Sequence, residues 1–568
     1  MLHGEGIFVK LKKLIVSNYR GLKGDENIID FEGSDIIFLI GKNNFGKSTF
    51  LHAYNFFVEP KVKASFNDFY NKDTNIPIEI TGVFTVEEND DKDKSLKSSD
   101  PDWITKWVDE EGYIKIKKVW TNDQQEGKKQ TYNPSTKIFE DGGFGGFDTL
   151  LKRYSPTAIP INAISSPEDL EKQINDIISK NHIKKLETQY SDKYENIMVS
   201  LKELKDEISN SRDISNINEK MNTFFSSVFP ELQLEIYSIP ESGIDISKTL
   251  KSTHGLSVKD KVLLEEMYDL KNNGHGVMRQ AFFSFLSTLE TDLEQKRKEY
   301  LILFEEPELY LHPEAVFSLR EQLYKLAKDS PFQVLCATHS SLMIDTSKPH
   351  SSLVRLVKGR EKDTKTYQVK FDLFEGAEKD FLQMINRFNP HICECFFSDE
   401  VVLVEGDTEA VIYRDLIERY FKNKKDVFVL NTGSKANMVF YQKILTHFGI
   451  KHVVVHDVDA KTYTTQKGEV KTNSMWTFNT SIWEQIVESN NSFPGISRRF
   501  THYLNFEIAH DYKENKTKGK PLSAYEFSKT ITVDSEIPCI EFLKDLFENG
   551  EINHTQEEIE SLFPSFVS

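Results

Sequence analysis

Eight residues, Gly41-Lys42-Asn43-Asn44-Phe45-Gly46-Lys47-Ser48, follow an apolar run, Ile36-Ile37-Phe38-Leu39-Ile40, and precede a helical stretch from Thr49 to Phe57. Strand, glycine-bounded loop and helix in that order are what a phosphate-binding loop requires. The glycines let backbone N–H groups curl around phosphate oxygens. Lys47 reaches the β and γ phosphates, and Ser48 offers its hydroxyl to Mg²⁺. Gly41, Asn43, Gly46, Lys47, Ser48 and Thr49 are therefore the expected nucleotide-binding positions. A second glycine-rich stretch, Gly142-Gly143-Phe144-Gly145-Gly146, lacks a following lysine and helix and reads as a flexible turn.

Distant segments extend the same site. Leu301-Ile302-Leu303-Phe304 is an apolar strand that ends in Glu305-Glu306-Pro307-Glu308. Adjacent carboxylates there suit the Mg²⁺ side of a phosphate site, with Glu305 on the metal and Glu306 as general base. Val334 to Thr338 is another buried strand, and it ends at His339, placed to sense a γ phosphate. Asn273-Gly274-His275-Gly276 presents N–H groups to a phosphate through Gly274 and Gly276. In this order the pieces resemble the ABC-type ATPase head shared by SMC proteins, RecF and the OLD (overcoming lysogenization defect) nucleases. Asn18-Tyr19-Arg20 resembles the short Arg motif of that group and implies a nucleotide role for Arg20. The resemblance implies ATP sandwiched between two subunits, the signature of one facing the P-loop of the other. Asn273-Gly-His-Gly departs from the Ser-Gly-Gly-Gln signature of ABC transporters.

A second constellation lies in the C-terminal third. The buried strand Val401-Val402-Leu403-Val404 runs into Glu405-Gly406-Asp407-Thr408-Glu409, and Val453-Val454-Val455-His456 runs into Asp457-Val458-Asp459. In a parallel α/β sheet, active groups gather outside the carboxyl ends of the strands, so Glu405 and both aspartates share one cleft. The pattern resembles the Toprim domain of topoisomerases, primases and OLD-type nucleases. That resemblance adds Glu409 on the first helical turn, Glu507 in Asn505-Phe506-Glu507, and Lys520 in Lys518-Gly519-Lys520-Pro521. Glu405, Glu409, Asp457, Asp459 and Glu507 would hold two divalent ions, Mg²⁺ or Mn²⁺, and Lys520 would neutralise charge on the phosphorane. Cys393-Glu394-Cys395 beside His391 has the wrong spacing for a structural zinc site and reads as thiols.

Composition sets the remaining limits. A chain of 568 residues with four cysteines has room for two or three domains and no disulfide framework, and a reducing cytoplasm is the expected compartment. No apolar run reaches the roughly 20 residues of a membrane span, and the first residues lack the pattern of a secretory signal. The net charge of −18 argues against a passive nucleic-acid coat, but not against an enzyme rich in metal-binding carboxylates. Residues 76–139 read as a meander, and the polar stretch 87–101 as a solvated loop within it. A helix begins near Ser166-Pro167-Glu168-Asp169. Ile197, Leu201, Leu204 and Ile208 repeat at helical spacing, which suits either a dimerisation arm or a hairpin packed on its own subunit.

The expectation is an α/β protein. It has an ABC-type ATPase head over 1–160 and 251–390, a helical and dimerising insertion over 161–250, and a Toprim domain over 391–568. The resemblance implies an ATP-binding, metal-dependent DNA endonuclease of the OLD family, a homodimer or larger, without membrane attachment. Gabija nuclease subunits and retron-associated OLD effectors imply anti-phage defence, with a helicase, or a reverse transcriptase and its noncoding DNA, as partner. A RecF-like ATP-gated clamp that does not cut is the alternative. A topoisomerase would need a DNA-gate tyrosine, and a primase a zinc module; neither is visible.

Overall fold

The computed structural model describes residues 8–86, 105–142, 151–152, 155–163, 169–175, 178, 212–238, 254–260, 267–269, 274–288, 300–328, 331–359, 363–376, 378–380, 384, 390–422, 424–465 and 467–562. The stretch 87–101, Ser166, Asn273, the glycines at 143, 145 and 146, and the seam of Ile197, Leu201, Leu204 and Ile208 lie outside them. Two compact units meet between Thr366 and Tyr367 in the chain.

The first unit carries two six-stranded sheets. One is antiparallel and takes strands in the order Ile28–Asp30, Phe8–Ser17, Ile78–Val86, Tyr113–Trp120, Lys128–Asn133 and Ile138–Asp141. Tyr113–Trp120 shows how its sequence selects a strand: Ile114, Ile116 and Trp120 are buried, while Tyr113, Lys115 and Lys117 alternate with them. The other sheet has the order Thr364–Gln368, Leu353–Lys358, Ile36–Ile40, Phe332–Thr338, Tyr300–Glu305 and Thr157–Ile161. From Leu353–Lys358 to Thr157–Ile161 its strands are parallel. Ile36–Ile40 and Phe332–Thr338 are buried along their whole length, as central parallel strands covered on both faces must be.

The helix Lys47–Val58 lies between these sheets. Its Phe50, Tyr54 and Phe57 share one core with Ile37, Leu39, Leu303 and Leu335 of the parallel sheet and with Leu14, Ile80 and Ile116 of the antiparallel one. Phe57 passes so close to Gly82 that a Cβ there would stand 2.8 Å from its ring. A smaller sheet follows the order Met267–Asp269, His254–Asp260 and Leu232–Ser238, so the stretch 161–250 holds a strand as well as helix. Asn218 and Asn222, one turn apart on the helix Arg212–Phe225, pair with the backbone of Ile236 and Leu234 and satisfy the sheet edge.

The second unit is a four-stranded parallel sheet in the order Val427–Asn431, Glu400–Val404, Lys451–Asp457 and Ser497–His502. Alternate residues serve opposite faces. Val402, Val404, Val453 and Val455 pack on Tyr413 and Leu416 of the helix Asp407–Leu416 and on Phe542 of Pro538–Lys544. The helices Met438–His447 and Ser474–Ser492 cover the other face. Because every strand runs the same way, Glu405, Thr432, Asp457 and Tyr503 all follow the carboxyl edge.

Candidate functional site

At the end of Ile36–Ile40 the chain turns at Gly41, where φ is +149° and a Cβ would lie 2.5 Å from the Leu356 carbonyl oxygen. Only glycine fits there. Asn44 and Gly46 also take positive φ, and the helix starts at Lys47. The Lys47 ammonium is buried and donates to the carbonyls of Gly41 at 2.5 Å and Lys42 at 2.9 Å. Burial pulls its pKa down to about 8, against the opposing pull of Glu306 and Glu308. The parallel neighbours bring the remaining groups. Ser48 donates to Glu305, and Glu306 follows with φ +44°, a strained position for a side-chain-bearing residue. His339 stands between Lys47, at 3.2 Å from its Nδ1, and Glu306, at 3.4 Å from its Nε2. Burial and the Lys47 charge hold this imidazole neutral, near pKa 4, so Nδ1 accepts from the ammonium and Nε2–H faces the carboxylate.

Two further side chains belong to this cluster and were not assigned roles from sequence. Glu308 accepts from the Thr338 hydroxyl at 2.7 Å and from the His339 N–H at 2.9 Å, fixing the end of that strand. Arg279 is 3% exposed and donates through Nη2 to the Glu305 carbonyl, while its Nε and Nη1 have no hydrogen-bond acceptor among the described residues. Both were visible as residues, Glu308 inside the acidic motif and Arg279 five positions after Gly274. Their partners lie on other strands. Gly276 packs: a Cβ there would sit 2.8 Å from the Tyr310 carbonyl oxygen. Gly274 precedes the helix His275–Leu286 with open space around it, and Asn43 is exposed in the loop. Thr49 bonds back through its N–H to Gly46. Arg20 pairs with Asp68 at 3.0 Å and covers the Tyr19 ring; among the described residues no hydrogen bond joins it to the loop.

In the second unit, Glu405 accepts from the Asp457 N–H at 2.8 Å, which ties two strand ends together. Glu409 is buried on the first turn of Asp407–Leu416. Burial, then repulsion from Asp457, pushes Glu405 up to about 8. Glu409 rises to about 7 through burial, with Asp457 and Glu507 adding to it. Asp457 rises to about 7 through burial, then Asp459 and Glu507. Glu507 is exposed on the short helix Phe506–Ala509, close enough for its charge to act on both. Asp459 holds φ +63°, and His502 reaches Asp457 at 3.3 Å. Lys520 starts the helix Lys520–Thr530 and is exposed. Among the described residues no ion pair connects it to these carboxylates.

Sequence reasoning missed Lys435. Completely buried, it donates to the Asp457 carbonyl and to the Asp459 carboxylate at 2.7 Å, and its charge opposes the rise of Glu405 and Asp457. Its one signal is Gly433-Ser434-Lys435 just after the strand Val427–Asn431, at the same sheet edge. Among the described residues no three His, Cys, Asp or Glu side chains form a ready metal cage. Even so, buried carboxylates raised by one another are a donor set that suits hard divalent cations. All four cysteines are buried, Cys393 and Cys395 included.

The model of the AAA ATPase domain family matches residues 10–344, more than half of the chain, and that of the overcoming lysogenization defect protein-like TOPRIM domain matches 396–459. The chain is thus an ATPase domain followed by a TOPRIM domain, an enzyme's pairing that implies ATP and divalent-metal use. This chain belongs to the AAA ATPase domain family and carries a C-terminal domain that matches the OLD-like TOPRIM model. It is similar to the Old nuclease of Escherichia phage P2, at 26% identity over 475 residues, 79% of this chain and 77% of that one. The OLD nuclease of Thermus scotoductus is 24% identical over 43% of this chain and 47% of its own. Endonuclease GajA of Bacillus cereus is 24% identical over 38% of this chain and 35% of its own. No described helix is long and apolar enough to cross a membrane.

Proposed function

We propose that this protein is an ATP-controlled, divalent-metal-dependent DNA endonuclease. The observation that carries the reading is the set of Glu405, Glu409 and Asp457, gathered from separate strand ends and each held well above its ordinary pKa by burial and mutual repulsion. Folding such anions together is costly unless a cation of higher charge joins them. Glu405, Glu409, Asp457, Asp459 and Glu507 would hold Mg²⁺ or Mn²⁺. When bound, the metal supplies Lewis acidity to the attacking and leaving oxygens of a phosphodiester. The protein's own part is to fix the carboxylates: Glu405 on the Asp457 N–H, Asp459 on Lys435, and Asp457 on His502. Lys520 serves the developing phosphorane charge by approaching once DNA is bound.

The first unit binds ATP at Gly41–Thr49, with Ser48 and Glu305 on its Mg²⁺, Glu306 as general base and His339 beside the γ phosphate. Gly274, Gly276 and Arg20 contribute when a second copy completes the site, so the working form is a homodimer or larger. The names of the relatives support cutting over a non-cutting clamp, and anti-phage defence with a partner encoded elsewhere is the cellular role. Purified protein mixed with supercoiled plasmid and Mg²⁺ or Mn²⁺ should give nicked or linear products that EDTA suppresses. Binding without any cleavage under both metals would replace the endonuclease with the clamp.

A further inference from the structure

Between Asp459 and the helix Ser474–Ser492 the chain makes a two-stranded antiparallel ribbon, Thr462–Thr464 against Val470–Thr472. It differs from every other described strand in the second unit. All six of its strand residues are exposed, on both faces, including Tyr463 at 52% and Val470 at 67%. A lone hairpin of this length gains little stability in water, so the fold gives it no packing reason to stand out. Yet it is well made. Thr465 N–H donates to the Glu469 carbonyl at 2.8 Å, Gly468 takes φ +81° in the turn, and Asn473 N–H closes the base on the Lys461 carbonyl at 3.0 Å.

The base is anchored at the acidic cleft itself. Trp476 packs on Val458, the residue between Asp457 and Asp459, and the Asn479 side chain donates to the Val458 carbonyl at 2.8 Å. The ribbon thus rises from the Asp457–Asp459 turn with a fixed root. Its charge is opposite to that of its surroundings. Lys461, Lys467 and Lys471 face one glutamate, Glu469, in a chain whose net charge is −18. Lys471 meets Glu469 only at 3.6 Å, with both side chains more than half exposed. Tyr463 and Lys471 are cross-strand partners on one face, and Thr462, Thr464 and Thr472 present hydroxyls on the other.

We propose that this ribbon is a nucleic-acid-holding arm, which takes the phosphate backbone of duplex DNA beside the acidic cleft. The inference rests on DNA being the substrate and adds the element that captures it. A two-stranded ribbon fits a major groove about 12 Å wide, lysines and hydroxyls pair with phosphates, and an exposed tyrosine lies against sugar or base. An acidic protein also needs local cations to bring a polyanion to a carboxylate centre, and here they are built next to it.

The test is Lys467→Ala/Lys471→Ala in the full chain, with both residues exposed and outside the metal and nucleotide clusters. Duplex binding is read by fluorescence anisotropy over a range of salt concentrations in Ca²⁺, and cleavage is read in Mg²⁺. The arm predicts roughly tenfold or greater weakening of duplex binding at moderate salt, and a plot of log K against log salt shallower by about 1 to 2. KM for DNA should rise while kcat stays within about twofold, because the carboxylates are untouched. Tyr463→Ala should weaken binding with the salt slope unchanged. If wild-type protein binds and cuts DNA and the double variant does so identically, the arm is overturned and the endonuclease reading stands. A variant that changes oligomeric state in light scattering and leaves duplex affinity unaltered makes the ribbon a subunit contact, which also overturns the arm. Wild-type protein that neither binds nor cuts overturns both readings.

Discussion

At the end of the strand Ile36–Ile40 burial acts on cations, and at the ends of Glu400–Val404 and Lys451–Asp457 it acts on anions. Lys47 is drawn down to about 8 and His339 to about 4, and burial lowers Arg279 as well. In the other unit Glu405 is pushed up to about 8, and Glu409 and Asp457 to about 7. Both clusters use the carboxyl edge of a parallel sheet, and both place an acidic residue in the left-handed region, Glu306 at φ +44° and Asp459 at φ +63°. The difference is the sign of the ligand each would take. Buried Lys47 and Arg279, with Glu305, Glu306 and Glu308 around them, suit a metal-bound phosphate, whereas buried carboxylates crowded on one another suit divalent metal alone. One sheet geometry therefore yields two chemistries according to the loop residues placed at its edge.

The largest effect should come from breaking the anionic side alone. Asp457→Asn or Glu405→Gln should lower DNA cleavage by on the order of 10³-fold or more, with ATP binding at Lys47 intact, because each removes a charge that metal would need. Cleavage by both variants at the wild-type rate would remove the assignment of that cleft. On the cationic side, Glu306→Gln should still bind ATP but hydrolyse it about 10²- to 10³-fold more slowly, having kept its shape and lost the base. Wild-type ATP turnover in that variant would place the base elsewhere. Lys47→Ala should instead lose ATP affinity, which separates binding from hydrolysis within one site.

A smaller effect is expected where the two charge types meet. Lys435 is the cation of the anionic cluster and holds both Asp457, by its carbonyl, and Asp459, by its carboxylate. Lys435→Met should cost about 10- to 100-fold in cleavage by loosening that turn, the range seen when residues behind metal ligands are lost. Calorimetric titration with Mn²⁺ decides how. Weaker Mn²⁺ binding marks Lys435 as a positioning residue, and tighter binding marks it as a competing cation. Lys435→Arg should restore part of the loss only in the first case.

The parts of each cluster that were legible share a feature: they are contiguous in sequence. The phosphate loop is eight successive residues, and Glu305-Glu306 and Asp457-Val458-Asp459 sit at the ends of unmistakable apolar strands. That these segments lie side by side follows from parallel pairing of buried strands. Lys435, Arg279 and Glu308 were not legible as members, because each acts on a partner 22 or more residues away. Gly433-Ser434-Lys435 has only its place after the strand Val427–Asn431 to mark it, and otherwise reads as an ordinary loop. The ribbon escaped for the opposite reason: its three-residue strands are polar and exposed, so no hydrophobic alternation marks them. The helical seam of Ile197, Leu201, Leu204 and Ile208 has a clear period, which suits a dimerisation arm or a hairpin packed on its own subunit, and lies outside the described residues.

The finest distinction between the two clusters is in how stability responds to pH. A carboxyl whose folded pKa is raised binds more protons when folded than when unfolded, so stability falls as pH climbs from the unfolded value, near 4, through the folded one. Glu405, at about 8, and Glu409 and Asp457, at about 7, place the end of that fall near pH 8. Buried histidines work against it at lower pH. His452 near 4, and His502 and His510 near 3, are depressed by burial, and their contribution grows as pH rises through about 6.5 and is nearly complete by about 7.5, where unfolded histidine has lost most of its proton. His339 does the same in the first unit. From about pH 7 to 8 the fall from the carboxylates outweighs what remains of the rise from the histidines. In EDTA the melting temperature should therefore drop by a few degrees across that window. Glu405→Gln should flatten the slope and melt higher at pH 8, although it no longer cuts. Saturating Mn²⁺ should flatten the slope in the wild type by supplying the missing positive charge, with little effect on Glu405→Gln. A melting temperature that holds steady from about pH 7 to 8 in EDTA, alike in wild type and variant, would mean that these carboxylates are not strained against one another. The contrast between a cation-holding and an anion-holding sheet edge would then fail on its second half.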